Sequence, residues 1–200
     1  MGIFGPSQSE VWSEFTSEIE AEYIKGGVFQ ADKIISGFEN WTVTIDTYSQ
    51  SSGNSTATYT RFRAPYKELE NMDFKIYKSG IFSGIGKALK MQDVLTGDSD
   101  FDQKFTVKGN NEGKLKELLE LDKIRQIIKA EDKIKIETKR DRSPFSSKLP
   151  QDVNQLYFLE NGLIKDKERL TNIYTLIVFM LKQLTKIGIA SEEDPKVELK

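Results

Sequence analysis

The hydrophobic and polar positions change period several times along the chain. Val11, Trp12, Phe15, Ile19 and Tyr23 recur at helical spacing, which predicts a helix over 9–24. Ser7 and Glu10 supply its capping box and Gly26-Gly27 its stop. The opposite face of that helix is acidic, with Glu10, Glu14, Glu18 and Glu22. From Trp41 the period is two: Trp41, Val43 and Ile45 alternate with Thr42, Thr44 and Asp46, as in a half-buried strand. Residues 49–55 are a polar turn, and Thr56–Ala64 is a second strand, ended by Pro65. In a hairpin, opposed residues share a face. Matching Trp41, Val43 and Ile45 with Ala64, Phe62 and Thr60 fixes an odd pairing sum near 105. A slip by one residue would drive Arg61 and Arg63 into the core.

Met72–Tyr77 is a third strand with Phe74 and Ile76 inward, 97–102 an acidic turn and Phe105–Lys108 a short strand. Two helices follow, one capped around Asn111 with Leu115, Leu118 and Leu119 inward, the next capped by Asp122 with Ile124, Ile127 and Ile128 inward. Ile134 and Ile136 point inward from a strand over 133–139, and Leu156–Glu160 is another strand. Lys165–Lys186 is the longest helix, capped by Asp166 and ended by Gly188, with a wide apolar stripe through Leu170, Ile173, Ile177, Leu181 and Leu184. Runs of strands and helices, without strict alternation, predict an α+β fold: a mainly antiparallel sheet with helices on one face and the C-terminal helix central. Residues 1–189 form the domain and 190–200 a polar, frayed tail. Residues 74–82 and 156–164 echo each other, each a strand followed by Ser/Asn-Gly and two apolar residues. Two related halves would give this echo, and so would chance.

Composition narrows the chemistry. In 200 residues there is no Cys and no His. That removes disulfides, thiolate nucleophiles, the usual general base and the commonest transition-metal ligand. A metal would have to be a hard, oxygen-ligated cation. The net charge of −2 gives no overall footprint for nucleic acid. The longest apolar run, Ile173–Leu181, is too short to span a bilayer. With no signal-type segment in view, the expected location is the cytoplasm, and the Asn40 and Asn54 glycosylation patterns are set aside.

Four stretches bear on function. Asp98, Asp100 and Asp102 have the spacing that opens a calcium loop, but Gln103 and Gly109 stand where Gly and Glu are required; a solvated turn is the simpler account. Gly84-Ile85-Gly86-Lys87 resembles a phosphate loop without its spacing or its hydroxyl, since Ala88 follows. The basic run from Lys133 to Lys148 has only Phe145 as an aromatic and reads as a solvated face. In 59–66, Tyr59, Arg61 and Arg63 share one strand face, and Tyr66 flanks them. Two guanidiniums about 7 Å apart seek an anion. That anion is either a ligand or partner, or Asp46 on the neighbouring strand, placed opposite Tyr59 and diagonal to Arg61.

Tyr59-Thr60-Arg61-Phe62-Arg63-Ala64-Pro65, Phe82-Ser83-Gly84-Ile85-Gly86-Lys87, Met91-Gln92-Asp93, Gly97-Asp98, Phe101-Asp102 and Val107-Lys108-Gly109-Asn110 occur in this order. Together they resemble an uncharacterised bacterial family, a domain of unknown function, over roughly residues 1–186. The resemblance implies a bacterial cytoplasmic protein. It supplies no catalytic residue, substrate or cofactor. The expected function is a non-catalytic binding or protein-interaction module without a cofactor, with a homodimer as one open form, whose partner is a protein or a small anionic ligand. Its rival is a carboxylate-based, metal-assisted enzyme using Asp93, Asp98, Asp100 and Asp102. Membrane-spanning segments in some relatives suggest a third idea, a membrane-adjacent domain.

Overall fold

The computed structural model describes residues 5–27, 30–53, 55–80, 91–140 and 149–199. The phosphate-loop-like glycines and Arg142, Phe145 and Lys148 lie outside these residues. The strands are β1 (Glu22–Ile24), β2 (Lys33–Phe38), β3 (Trp41–Ser52), β4 (Ser55–Lys67), β5 (Phe74–Lys78), β6 (Gln92–Asp93), β7 (Phe105–Gly109), β8 (Lys135–Thr138) and β9 (Val153–Asn161). The helices are α1 (Gln8–Glu18), α2 (Ser99–Lys104), α3 (Glu112–Leu119), α4 (Asp122–Ala130) and α5 (Lys167–Lys186). All nine strands join one sheet of order β1-β2-β3-β4-β9-β8-β5-β7-β6, and every pairing is antiparallel. The fold is α+β, with the helices on one face.

The β3–β4 register sums to 107: the parity is odd as expected, but the pairing lies two residues along, with Ile45 opposite Phe62 rather than Thr60. Val43, Ile45, Thr60, Phe62 and Ala64 are fully buried on the inner face. Across the same face run Leu156, Phe158, Ile136, Ile76 and Val107, against which α5 packs Leu170, Ile173, Ile177, Leu181 and Leu184. Trp12 is also fully buried, and its Nε1 donates to the Ile164 carbonyl at 3.1 Å, tying α1 to the β9–α5 connection.

Several expectations are corrected. Helix α1 ends at Glu18, not 24: Glu20 takes φ 51°, the chain reverses, and Tyr23 enters β1. The spacing misled because Ile19 and Tyr23 still pack on the core, from a turn and a strand. Pro65 does not end its strand. β3 leaves β4 after Thr44–Arg63, whereas β4 continues against β9 to Lys67. A residue lacking N–H is tolerated where one flank is open. The 97–102 turn includes the start of α2, N-capped by Asp98, and α4 is entered through Leu121, without a side-chain cap, rather than through Asp122.

The tail is anchored as well. Ile189 and Ser191 bond Leu69 and Lys67 at 2.8 and 2.9 Å along the flank that β3 vacates. Asn40 then donates to the Glu192 carbonyl, and Lys33 to that of Leu199. The two echoed segments hold different places: β9 lies beside β8, the strand preceding it, whereas β5 does not touch β3.

Candidate binding face

The sheet's other face carries its own pattern. Reading directly opposed residues across the registers gives Lys33, Asp46 and Arg61, then Arg63, Tyr157, Glu137, Lys75, Lys108 and Asp93. Because opposed residues share a face, these form nearly continuous rows across the sheet. Strand residues of this face include seven cations (Lys33, Arg61, Arg63, Lys67, Lys75, Lys108 and Lys135) and four carboxylates (Glu22, Asp46, Asp93 and Glu137). The chain as a whole is net −2, so among strand residues this face holds a local basic excess, of which Lys67 meets Glu193 of the tail.

Asp46 sits directly opposite Arg61, one pairing step from the position expected, and binds both guanidiniums. The second oxygen receives Arg61 Nη2 at 3.0 Å. Asp46 and Arg63 are buried, at 4% and 7% exposure, while Arg61 remains part-exposed. Both arginines therefore lie off the apolar core, but only Arg61 faces solvent appreciably. Burial pulls the Arg63 guanidinium below its usual range despite the attraction of Asp46. Burial acts the same way on Arg61, but its bonds to Asp46 outweigh it and hold the group above that range.

Aromatic groups frame this cluster. Tyr48 and Tyr59 stack with centroids 5.2 Å apart, Arg61 lies 4.8 Å from the Tyr48 ring centre, and Lys139 Nζ lies 4.1 Å from that of Tyr157. Burial first, then the charge and hydrogen bond of Tyr48, raise the Tyr157 hydroxyl pKa. Further along, Lys75 meets Glu137 at 2.9 Å and Lys108 meets Asp93 at 3.0 Å. Beside them, Lys75, Glu137, Lys139 and Arg140 line a cavity of about 310 Å³. The buried Gln155 side-chain oxygen, on the same face, accepts no hydrogen bond among the described residues.

Thus Tyr59, Arg61 and Arg63 come together as expected. Tyr66 does not join them: its parity places it on the inner face beside Phe62, fully buried. Tyr48, Tyr157 and Lys75 also belong to the face without being indicated by the sequence pattern, as does Lys139 of the basic run, which reads there only as a solvated surface. Tyr48 was legible, two residues past Asp46 on the same strand face; the others required the non-local pairing of β4 with β9 and of β8 with β5.

The aspartates of the rival reading are engaged in local structure. Asp98 caps α2 through Phe101 N–H and meets Lys129 at 2.8 Å. Asp100 pairs with Lys104 and Lys129. Asp102 accepts from Thr96 and Gly97. Among the described residues, no three His, Cys, Asp or Glu side chains are grouped to hold a metal.

A second cavity, about 410 Å³, opens where α4 meets α5. At its wall Arg169 binds Glu160 and Glu131, the latter at 2.8 and 2.9 Å, with Glu131 buried. Burial raises the Glu131 carboxyl pKa, against the pull of Arg169. This triad joins the end of α4, the end of β9 and the first turn of α5.

No helix among the described residues is long and apolar enough to cross a membrane. No protein-family model matches the chain, and no curated protein matches its sequence. Among solved structures, the chain resembles the mycobacterial trehalose monomycolate transport factor A, TtfA, with a TM-score of 0.50 and 8% identity, over 92% of this chain and 97% of that one. At that identity the likeness is one of fold.

Proposed function

We propose that this protein is a non-catalytic binding module that receives an anionic partner on the outer face of its sheet. The observation behind this reading is the excess of cations on that face, in a chain that is net acidic, with Arg61 and Lys139 set beside aromatic rings. Asp46 binds both Arg61 and Arg63, and Arg61 keeps solvent access beside the Tyr48 ring. A planar guanidinium next to tyrosines suits a carboxylate or phosphate on a partner surface. The described helices cover the other face and not this one, which the C-terminal tail reaches at Lys33 and Lys67. TtfA is a transport factor, and a fold shared with it is in keeping with a role in binding. The proposed site comprises Tyr59, Arg61 and Arg63 with Tyr48, Tyr157 and Lys139.

The test is calorimetric titration with a poly-glutamate peptide at low salt, using the wild type and an Arg61→Gln/Lys139→Gln variant. Both side chains have solvent access, so the variant retains its fold. Wild-type binding that weakens about tenfold or more in the variant is expected from the loss of two charge contacts. Equal binding by the two proteins would refute the site.

A further inference from the structure

The hairpin formed by β3 and β4 outruns its neighbours. β2 accompanies β3 only to Asp46, and β9 accompanies β4 only to Thr60. Beyond these points the ladder continues to Ser52–Ser55 as a two-stranded arm. One edge of the arm is partly covered: Tyr59 bridges Gly162, whose N–H donates to the Thr58 carbonyl at 2.7 Å. The other edge, Thr47–Ser52 of β3, pairs with no strand among the described residues.

The composition of this arm departs from that of the rest of the chain. Residues 47–60 contain no charged residue, in a chain that is 30% charged, and eight of the fourteen are Ser or Thr. Native edge strands are usually protected by Lys, Pro, a bulge or a covering segment. The β3 edge has no Lys or Pro over 47–52, and its register with β4 runs without a bulge. Within the arm, hydroxyls already pair across strands, Ser49 with Thr58 and Ser51 with Thr56, both at 3.1 Å.

We infer that Thr47–Ser52 is a self-association edge, which pairs antiparallel with the same segment of a second copy. Charge selects this occupant. Twofold pairing sets every residue against a near copy of itself, so a charged edge would repel its mate, whereas a neutral hydroxyl-rich edge meets its own kind. Symmetry also restricts the register. With the twofold axis normal to the sheet, opposed residues share a face, so their numbers must sum to an even value. Sums of 98 and 100 are the two that best overlap the six residues. They place Ser49 opposite Ser49, or Gln50 opposite Gln50. The product is a continuous sheet with both helical layers on one side and both basic faces on the other. Five paired residues in either register, about 17 Å of strand, bury less than a standard interface, so the dimer is weak and concentration-dependent.

The test combines sedimentation velocity with cross-linking. The wild type should pass from monomer to dimer as concentration rises. Ser49→Lys/Ser51→Lys, at two exposed positions, should raise the dissociation constant roughly tenfold by like-charge opposition with an unchanged melting temperature. Since the chain has no cysteine, Ser49→Cys and Gln50→Cys each introduce a single thiol. With oxidised glutathione, one of the two should give a covalent dimer in high yield, and Ser79→Cys, exposed at the turn after β5, should not. A wild type that stays monomeric at millimolar concentration, a dimer indifferent to the lysines, or equal cross-linking at all three positions would overturn the inference. None of these results depends on anion binding by the outer face.

Discussion

Asp46 is the residue on which the outer face turns. It is nearly sealed from solvent and holds two guanidiniums, one of them as buried as itself. Removing a buried counter-charge leaves the remaining charges unsolvated, which costs about 3–5 kcal/mol. Asp46→Ala should lose about that much in urea unfolding. Arg61→Ala should lose much less, because Arg63 keeps its carboxylate. Equal losses would mean that Asp46 serves mainly the exposed arginine. Glu131 sets a pH signature of its own. Its carboxyl is raised from its ordinary 4.5 by burial, with Arg169 opposing. Above pH 4.5 the folded state therefore holds a proton that the unfolded chain has released, and stability falls as pH rises through this window until the folded group also ionises. Glu131→Gln should abolish that decline in a plot of unfolding free energy against pH; an unaltered slope would assign the titration to another group.

The α2–α4 contact has the opposite sign. Asp98 and Asp100 are held below the ordinary carboxylate range, chiefly by hydrogen bonds from Lys129 and, for Asp100, first from Lys104. Their contribution is complete above the unfolded carboxylate pKa and is lost as pH falls through the lowered folded values. Lys129→Met should therefore lower stability at neutral pH, leave it nearly unchanged below the folded values, and so flatten the acid limb of the stability curve. Since these carboxylates already have partners, millimolar Mg²⁺ or Ca²⁺ should not raise the melting temperature; a rise that Asp100→Asn removes would restore the metal-enzyme reading.

Elements also show where the sequence was legible. The capping box at Ser7, the cap at Asp166 and the stop at Gly188 are local devices, and each stands where the residues indicate. β2 escaped notice because its period is disguised. Lys33–Phe38 buries Ile34 and Ser36 side by side, and a serine becomes an inward residue only because Tyr174 of α5 meets its hydroxyl at 2.9 Å. Pro65 and Tyr23 misled for a related reason: each local rule held, but a distant strand or a backbone reversal decided the outcome.

At the scale of the whole molecule, the sheet separates two chemistries. One face is apolar and covered by helices, and the other is polar, crossed by paired charges with cations in excess. The parity of Tyr59, Arg61 and Arg63 was visible in the chain, and so was the nearby carboxylate. The extent of the face was not, because it depends on β9 and β8 being inserted between β4 and β5, a contact between segments far apart in sequence.

The most direct measurement is a map of backbone amide shifts as inorganic phosphate, and separately a poly-glutamate peptide, are added at low ionic strength. Saturable shifts centred on Tyr48, Arg61, Tyr157 and Lys139, weakening as salt is raised, are the predicted result. Shifts confined to the helical side, or none at any concentration, would contradict the account.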